Sequence, residues 1–240
     1  MRWLVATVVE TIVETARTTT LRLDVPEWQA HRAGQHVDVR LTADDGYQAQ
    51  RSYSIASPPG AERLELTVVR IDDGEVSPYL ASVADVGDRF ELRGPIGGWF
   101  VWDGEDPAPV LLLGGGSGVV PLMAMLRHHE RIGSTVDMRL VYSARRLDDV
   151  IYRDELSSSA DDEHRTHVLS LTRDTTRQWR GHRGRIDASL LGEVGWTPSD
   201  RPLCYVCGPT PFVEAVSVAL LEVGHAASQV RTERFGPTGD

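Results

Sequence analysis

The stretch Val110-Leu111-Leu112-Leu113-Gly114-Gly115-Gly116-Ser117-Gly118-Val119-Val120-Pro121-Leu122 constrains this chain more than any other. It reads as a short buried strand, a glycine turn and the first turn of a helix. Adjacent glycines let backbone N–H groups approach an anion with no Cβ in the way. The helix start behind them adds free donors and the positive end of a dipole. The same spacing also arises where a strand and a helix simply pack closely, so a dinucleotide cradle and a plain crossover both stand at this point.

The flanking sequence divides into two halves of different period. In the first, Val37, Val39 and Leu41 alternate with His36, Asp38 and Arg40, and Leu64, Leu66 and Val68 alternate with Glu65 and Thr67. Period two marks half-buried antiparallel strands. Turn signals at Asp44-Asp45-Gly46, Pro58-Pro59-Gly60 and Asp72-Asp73-Gly74 separate them, and one short helix is expected over Ser77–Val83. In the second half, strand-length apolar runs alternate with helical stretches. The pairs are Val110–Leu113 with Val119–His129, Val136–Tyr142 with Val150–Leu156, His167–Leu171 with Ile186–Val194, and Cys204–Cys207 with Pro211–Val223. A last strand covers Gln229–Phe235. The expected fold has two domains. An all-β antiparallel Greek-key barrel over 1–103 precedes an α/β parallel-sheet nucleotide-binding domain over 107–240, and the polar, proline-bearing Trp102–Pro109 segment marks the boundary.

Composition removes several classes of function. The formal net charge is −10, which argues against general nucleic-acid binding. No apolar run is long enough to span a bilayer, since Val110–Leu126 is broken by glycines and Pro121. The N-terminus resembles a first strand rather than a signal peptide, and a cytoplasmic location is expected. Cys204 and Cys207 are the only cysteines, too few for a four-thiolate cluster, and their flanks read as a buried strand rather than a redox dithiol. The histidines are scattered, with the adjacent His128 and His129 expected to face different directions on a helix, so no metal site is expected. Every basic side chain is Arg or His. Arg173, Arg177, Arg180, Arg183 and Arg185 cluster as either a solvated loop or a phosphate-binding surface.

Further motifs accompany the glycine turn: Arg51-Ser52-Tyr53-Ser54, Gly74-Glu75-Val76-Ser77 and Cys207-Gly208-Pro209. With Gly34-Gln35, Gly94-Pro95-Ile96-Gly97 and Glu233-Arg234-Phe235-Gly236-Pro237, they stand in an order that resembles the ferredoxin–NADP reductase family of flavoproteins over essentially the whole chain. The resemblance implies FAD in the barrel half and NAD(P)H in the α/β half. Tyr53 would stack on the flavin, Ser54 would bond near the hydride-accepting nitrogen, and Arg51 with the Gly74–Ser77 backbone would hold the pyrophosphate. Ser52, Val69, Glu75 and Val76 would complete that site. Gly116, Ser117, Gly118, Pro121, Ser143, Tyr152, Gly208 and Pro209 would take the nicotinamide dinucleotide, with Cys207 beside its reactive ring. Glu233 and Phe235 would close over the flavin as in flavohaemoglobin reductase modules. For Glu233 the plainer reading is a strand-end carboxylate.

The implied activity is an NAD(P)H-dependent flavoprotein reductase serving a separate acceptor, a ferredoxin or an oxygenase component. No appended iron–sulfur or haem domain is expected, and Gly236–Asp240 is read as too short to reach elsewhere. A flavin or quinone reductase is the nearest alternative, and a non-catalytic flavin-binding subunit is one of another class. After the second strand of the α/β half, Arg145 and Arg146, with Arg173 as a further ligand, point to a 2′-phosphate and so to NADPH over NADH. Asp148 and Asp149 argue the other way, and solvated loop charges are the bland reading. The sequence sets neither the acceptor nor the oligomeric state.

Overall fold

A computed structural model describes residues 1–158, 164–176 and 178–236. Arg177 and Pro237 lie outside the described residues. Six strands form the first sheet: β1 (Leu4–Thr15), β2 (Thr18–Asp24), β3 (His36–Thr42), β4 (Gln48–Ser54), β5 (Leu64–Val69) and β6 (Arg89–Ile96). Their order is β4-β3-β6-β1-β2-β5, every pairing antiparallel, with β6 inserted between β3 and β1 in Greek-key fashion. The outermost strands approach through an Ile55–Leu66 bridge and an Ala56 N–H to Glu65 carbonyl bond of 2.8 Å, which curls the sheet into a barrel. Alternation decides the faces. Leu64, Leu66 and Val68 of β5 enter the barrel core, so Glu65, Thr67 and Val69 face outward. A short helix, α1 (Ser77–Ser82), follows β5, with a proline in its first turn.

The second sheet is wholly parallel. It is built from β7 (Val110–Gly115), β8 (Met138–Ala144), β9 (Arg165–Leu171), β10 (His182–Arg183), β11 (Leu203–Pro209) and β12 (Val230–Phe235), in the order β10-β9-β8-β7-β11-β12. Helices α2 (Val119–Arg131), α3 (Arg153–Ser158), α4 (Ala188–Val194) and α5 (Thr210–Val223) cover it. All of β7 is buried, as expected of a central strand covered on both faces. β10 is too short for any periodicity to show. α4 starts at Ala188 rather than Ile186, because Asp187 caps it by accepting the Leu190 N–H at 2.9 Å. α3 starts at Arg153 rather than Val150, because Tyr152 is in the left-handed region with φ 59°. Cys204 and Cys207 are both free, and they enter different core clusters.

The glycine turn is mostly a packing device. A Cβ on Gly118 would lie 2.0 Å from the Cys207 carbonyl oxygen, and one on Gly115 would lie 2.7 Å from the Phe212 ring. Gly116, with φ +54°, instead has nothing within 4 Å of where its Cβ would sit. The crossover reading therefore accounts for Gly115 and Gly118, and the cradle reading falls to Gly116 and Ser117. The expected boundary segment is not a free linker at its start. Trp102 is 2% exposed, bridges Ala33 and shares a core with α2 and β8. Both adjacent histidines reach it despite their expected divergence: His129 stacks on the indole and His128 meets it edge-on. The Tyr205 hydroxyl and the Arg231 guanidinium donate to the Val101 carbonyl at 2.8 and 2.9 Å, fastening the same seam.

Replacing Gly118 by Ala should force β11 away from the start of α2 and lower stability by about 1–3 kcal/mol, read as a fall in melting temperature.

Candidate functional site

Two clefts open side by side where the barrel meets the C-terminal ends of the parallel strands. The second lies where β7 continues to β8 on one side and neighbours β11 on the other, the reversal at which open α/β sheets bind ligands. The first cleft holds about 390 Å³. Its walls are Arg51–Ser54 of β4, Thr67 and Val69 of β5, Ile71, Gly74–Ser77, Ser117, Val120 and the terminal Arg234–Gly236. The second holds about 440 Å³. Gly115–Ser117, Ser143–Arg145, Asp149, Ile151, Thr172, Arg185, Ile186, Pro209, Pro211, Phe212, Ala215 and Val216 line it, with Thr15, Arg17, Thr18 and Arg70 from the barrel side. Val69, Ile71 and Ser117 belong to both.

The first cleft is chemically suited to a flavin dinucleotide. Ser54 Oγ is buried and has no hydrogen-bond partner, so a polar group of the occupant is needed to satisfy it. Beside it Tyr53 is largely buried, and burial pushes its phenol above the usual value, leaving a neutral flat ring to stack against. Arg51 stands at the rim, paired with Glu75 at 2.5 Å. Glu75 also accepts from the Tyr47 hydroxyl, and that bond, followed by Arg51, holds its carboxyl below the ordinary value. The Ser52 hydroxyl is committed to Asp38 at 2.6 Å. Ser77 Oγ accepts the Ile71 N–H at 3.1 Å, and a Cβ on Gly74 would lie 2.9 Å from that oxygen and 3.0 Å from the Ile71 carbonyl oxygen, so a side chain there would crowd the tight turn. Val76 and Phe235 supply apolar wall.

The second cleft brings together part of what the sequence grouped there. Ser143 and Arg145 stand on its wall after β8, and Arg145 makes no ion pair among the described residues. Arg146 and Arg173 do not line it. The Arg146 N–H instead donates to Asp149 at 3.1 Å, so that Asp149 caps the turn, and the Arg173 N–H bonds the Arg145 carbonyl at 2.8 Å. From the arginine-rich loop it is Arg185 that reaches the cleft, while Arg183 spends its guanidinium on loop carbonyls of Asp174, Thr176 and Trp179.

Other expected ligands lie off both walls. Gly118 is packed on Cys207, and Pro121 is buried within α2. Gly208 is closed off by Phe212, 2.8 Å from where its Cβ would stand. Tyr152 is 3% exposed and reaches into the seam between the sheets rather than onto either cleft wall. The residues that sequence reasoning missed include Thr67, Ile71, Arg17, Arg70 and Phe212. Period two already placed Thr67 opposite the barrel core. Nothing local marked Arg17, which arrives through the β1–β2 turn.

Cys207 and Glu233 line neither cleft and are paired in register on β11 and β12. Cys207 is fully buried, and burial, then the nearby Glu233, pushes its thiol well above the ordinary value, so it stays protonated. Burial raises Glu233 to about 7, and its Oε2 has no partner. His36 Nδ1 approaches Glu233 Oε1 only to 3.8 Å, beyond hydrogen-bond distance. No helix among the described residues is long and apolar enough to cross a membrane.

Residues 5–101 match the family model "Oxidoreductase FAD-binding domain", and residues 112–218 match "Oxidoreductase NAD-binding domain". The chain is 35% identical over 210 residues to ferredoxin–NADP reductase B of Sorangium cellulosum, covering 85% of this chain and 84% of that protein. It is also 35% identical over 237 residues to a glycine betaine monooxygenase reductase subunit of Chromohalobacter salexigens, covering 96% of this chain. The match spans 63% of that relative's length. Among solved structures, the FAD/NAD-binding domain of nitric oxide dioxygenase from Vibrio cholerae superposes with a TM-score of 0.85 at 24% identity, covering 97% of this chain and 98% of that one.

Ionised Glu233 is disfavoured in place, so its contribution to stability is fully present below its ordinary value of 4.5 and is lost as pH rises through about 7. Glu233→Gln should therefore melt progressively higher than wild type between pH 5 and 8, by on the order of 2–3 kcal/mol at the upper end, in paired thermal melts.

Proposed function

The chain belongs to the ferredoxin–NADP reductase family of FAD- and NAD-binding oxidoreductases, and we propose that it carries electrons from NAD(P)H to a separate acceptor protein, an oxygenase component or a ferredoxin. The observation that carries this reading is the common wall of the clefts. Val69, Ile71 and Ser117 line both, so two flat rings can meet without either leaving its own site. FAD, when bound, supplies acceptance of a hydride and its onward release as electrons. The protein's own work is to bind, orient and exclude water. Tyr53 and Phe235 offer apolar faces, Ser54 gives a fixed polar contact, and Arg51 exchanges Glu75 for a pyrophosphate. Glu233 keeps a proton at its carboxyl near neutral pH, and Cys207, buried and neutral, packs its carbonyl against Gly118 without lining either cleft. The names of the relatives, a monooxygenase reductase subunit and a ferredoxin–NADP reductase, support a protein acceptor.

For the nucleotide, we read a preference for NADPH. Arg145 and Ser143 stand on the wall of the second cleft, Arg185 lines it too, and Asp149 is already engaged with the Arg146 N–H. Arg145, not Arg146 or Arg173, is then the principal phosphate ligand. An exposed ionic contact is worth about 1 kcal/mol, more when charge-assisted hydrogen bonds form, so the preference is partial.

The purified protein should show a flavin spectrum that bleaches anaerobically on adding NADPH, and less efficiently on adding NADH. A spectrum unchanged by both nucleotides would mark a non-catalytic flavin subunit. Rapid turnover with free FMN or quinone, and none with protein acceptors, would mark a flavin or quinone reductase. Arg51→Ala should weaken FAD retention by about 2–4 kcal/mol, measured by equilibrium dialysis, and FMN as the heat-released cofactor would sink the FAD assignment. Arg145→Ala should raise KM for NADPH roughly five- to tenfold and leave KM for NADH nearly unchanged. A higher wild-type kcat/KM with NADH returns these arginines to the role of surface charges.

A further inference from the structure

Tyr152 lines neither cleft, yet both are tied through it. The residue before it, Ile151, lines the second cleft, and the Ile151 N–H donates to the Tyr142 hydroxyl at 3.3 Å. The Tyr152 phenol crosses to the barrel and donates to Oγ1 of Thr67, which lines the first cleft. Valence orders the hydrogens beyond that point. Thr20 Oγ1 donates its single proton to Glu14 Oε1 at 2.7 Å. In the 2.8 Å contact between Thr20 and Thr67, Thr67 must therefore be the donor, and its oxygen is left to accept from Tyr152. The Tyr152 N–H closes the circuit by donating to Glu14 Oε2 at 3.2 Å. One carboxylate thus anchors both ends of a loop that joins β1, β2 and β5 to the segment between β8 and α3.

Four further observations show that this circuit is built rather than incidental. Tyr152 has φ 59°, a conformation that costs a bulky residue energy and persists only where surroundings hold it. The Arg127 guanidinium lies 4.7 Å over its ring and donates to Glu65, on the same outward face of β5 as Thr67. Burial pushes the phenol above its usual value, so its proton is always present to donate. β5 is also the last strand in the hydrogen-bonded order of its sheet, held on its far side by the Ile55–Leu66 bridge, the Ala56 N–H to Glu65 carbonyl bond and the Glu65 N–H to Ser57 Oγ bond, so side chains add to its anchorage.

We infer that Tyr152 is a positioning residue, which fixes Thr67 on the flavin side against Ile151 on the nucleotide side and thereby sets how the nicotinamide ring approaches the flavin. The inference rests on the activity proposed above. Displacements of about 1 Å at a reacting pair cost as much as two orders of magnitude in rate, so a small relaxation of this circuit is readable.

Tyr152→Phe keeps the ring under Arg127 and removes only the hydroxyl. At saturating nucleotide, its limiting rate of flavin reduction should fall at least fivefold in stopped flow. Flavin content, the KM for NAD(P)H and reoxidation of the dithionite-reduced protein by ferricyanide, which needs no nicotinamide alignment, should stay within twofold. Amide exchange over residues 64–69 of the protein as purified should quicken at least threefold. Thr67→Val should give the same fall in reduction rate and the same quickened exchange, and the double variant should be no slower than either single one. A reduction rate within twofold of wild type, additive effects, or an equal loss of ferricyanide reoxidation overturns the inference. A wild-type flavin reduced by neither nucleotide overturns the proposed activity instead. Amide exchange then decides the tie by itself: acceleration supports it and unchanged exchange overturns it.

Discussion

Arg127 is the charge on which the joint between the two sheets depends. It projects from α2 into a site where its side chain is 18% exposed, and there it meets Glu65 of the barrel at 3.0 Å, Glu155 of α3 at 2.6 Å and the Ala56 carbonyl at 2.9 Å. Burial alone would depress a guanidinium, but the hydrogen bonds and charges of Glu155, with Tyr152 and Glu65, outweigh it and hold the group charged. A buried ion pair is not in itself a strong source of stability, because desolvation offsets most of the Coulombic gain. Its value is geometric. With Glu65 on β5 and Glu155 on α3, an uncompensated charge results unless both elements stand where they do.

The outward face of β5 carries the consequence. Glu65 pairs with Arg127, Thr67 receives Tyr152, and Val69 lines both clefts. One alternating strand therefore supplies the barrel core with one set of side chains and the domain seam and both ligand walls with the other. The clefts cannot be repositioned independently, since each borrows the same strand. Catalysis by ring stacking needs such economy, because the rate depends on the mutual placement of two bound molecules more than on any reactive side chain.

The glycine turn shows how a motif can be right for a partly different reason. A run of glycines after an apolar strand suggested a cradle for an anion, yet Gly115 and Gly118 are demanded by Phe212 and by the Cys207 carbonyl. Close packing of β7, α2 and β11 brings Gly116 and Ser117 to the cleft. The same packing buries Cys207 and Glu233, paired on β11 and β12, and burial raises Glu233, whose Oε2 has no partner, to about 7. The buried, protonatable carboxyl is thus a by-product of the sheet geometry that the glycines permit.

The sequence by itself determined the two sheets, their antiparallel and parallel character, and two stretches that stand on the wall of the first cleft, though not Thr67 or Ile71 beside them. Periodicity of two and of strand–helix alternation is a local property, and Arg51–Ser54 with Gly74–Ser77 lie on two short stretches that fold adjacent to one another. Its order of motifs also sufficed to indicate the family. Tertiary structure alone decided which arginines line the second cleft, that Tyr152 serves the seam, and that Arg17, Arg70 and Phe212 join the wall. Those choices turn on where a loop bends, as with Asp149 capping the turn that carries Arg146 away, and on which side chains a second sheet covers. Neither is written in local pattern, because each is settled by hydrogen-bond satisfaction and packing between segments far apart in the chain.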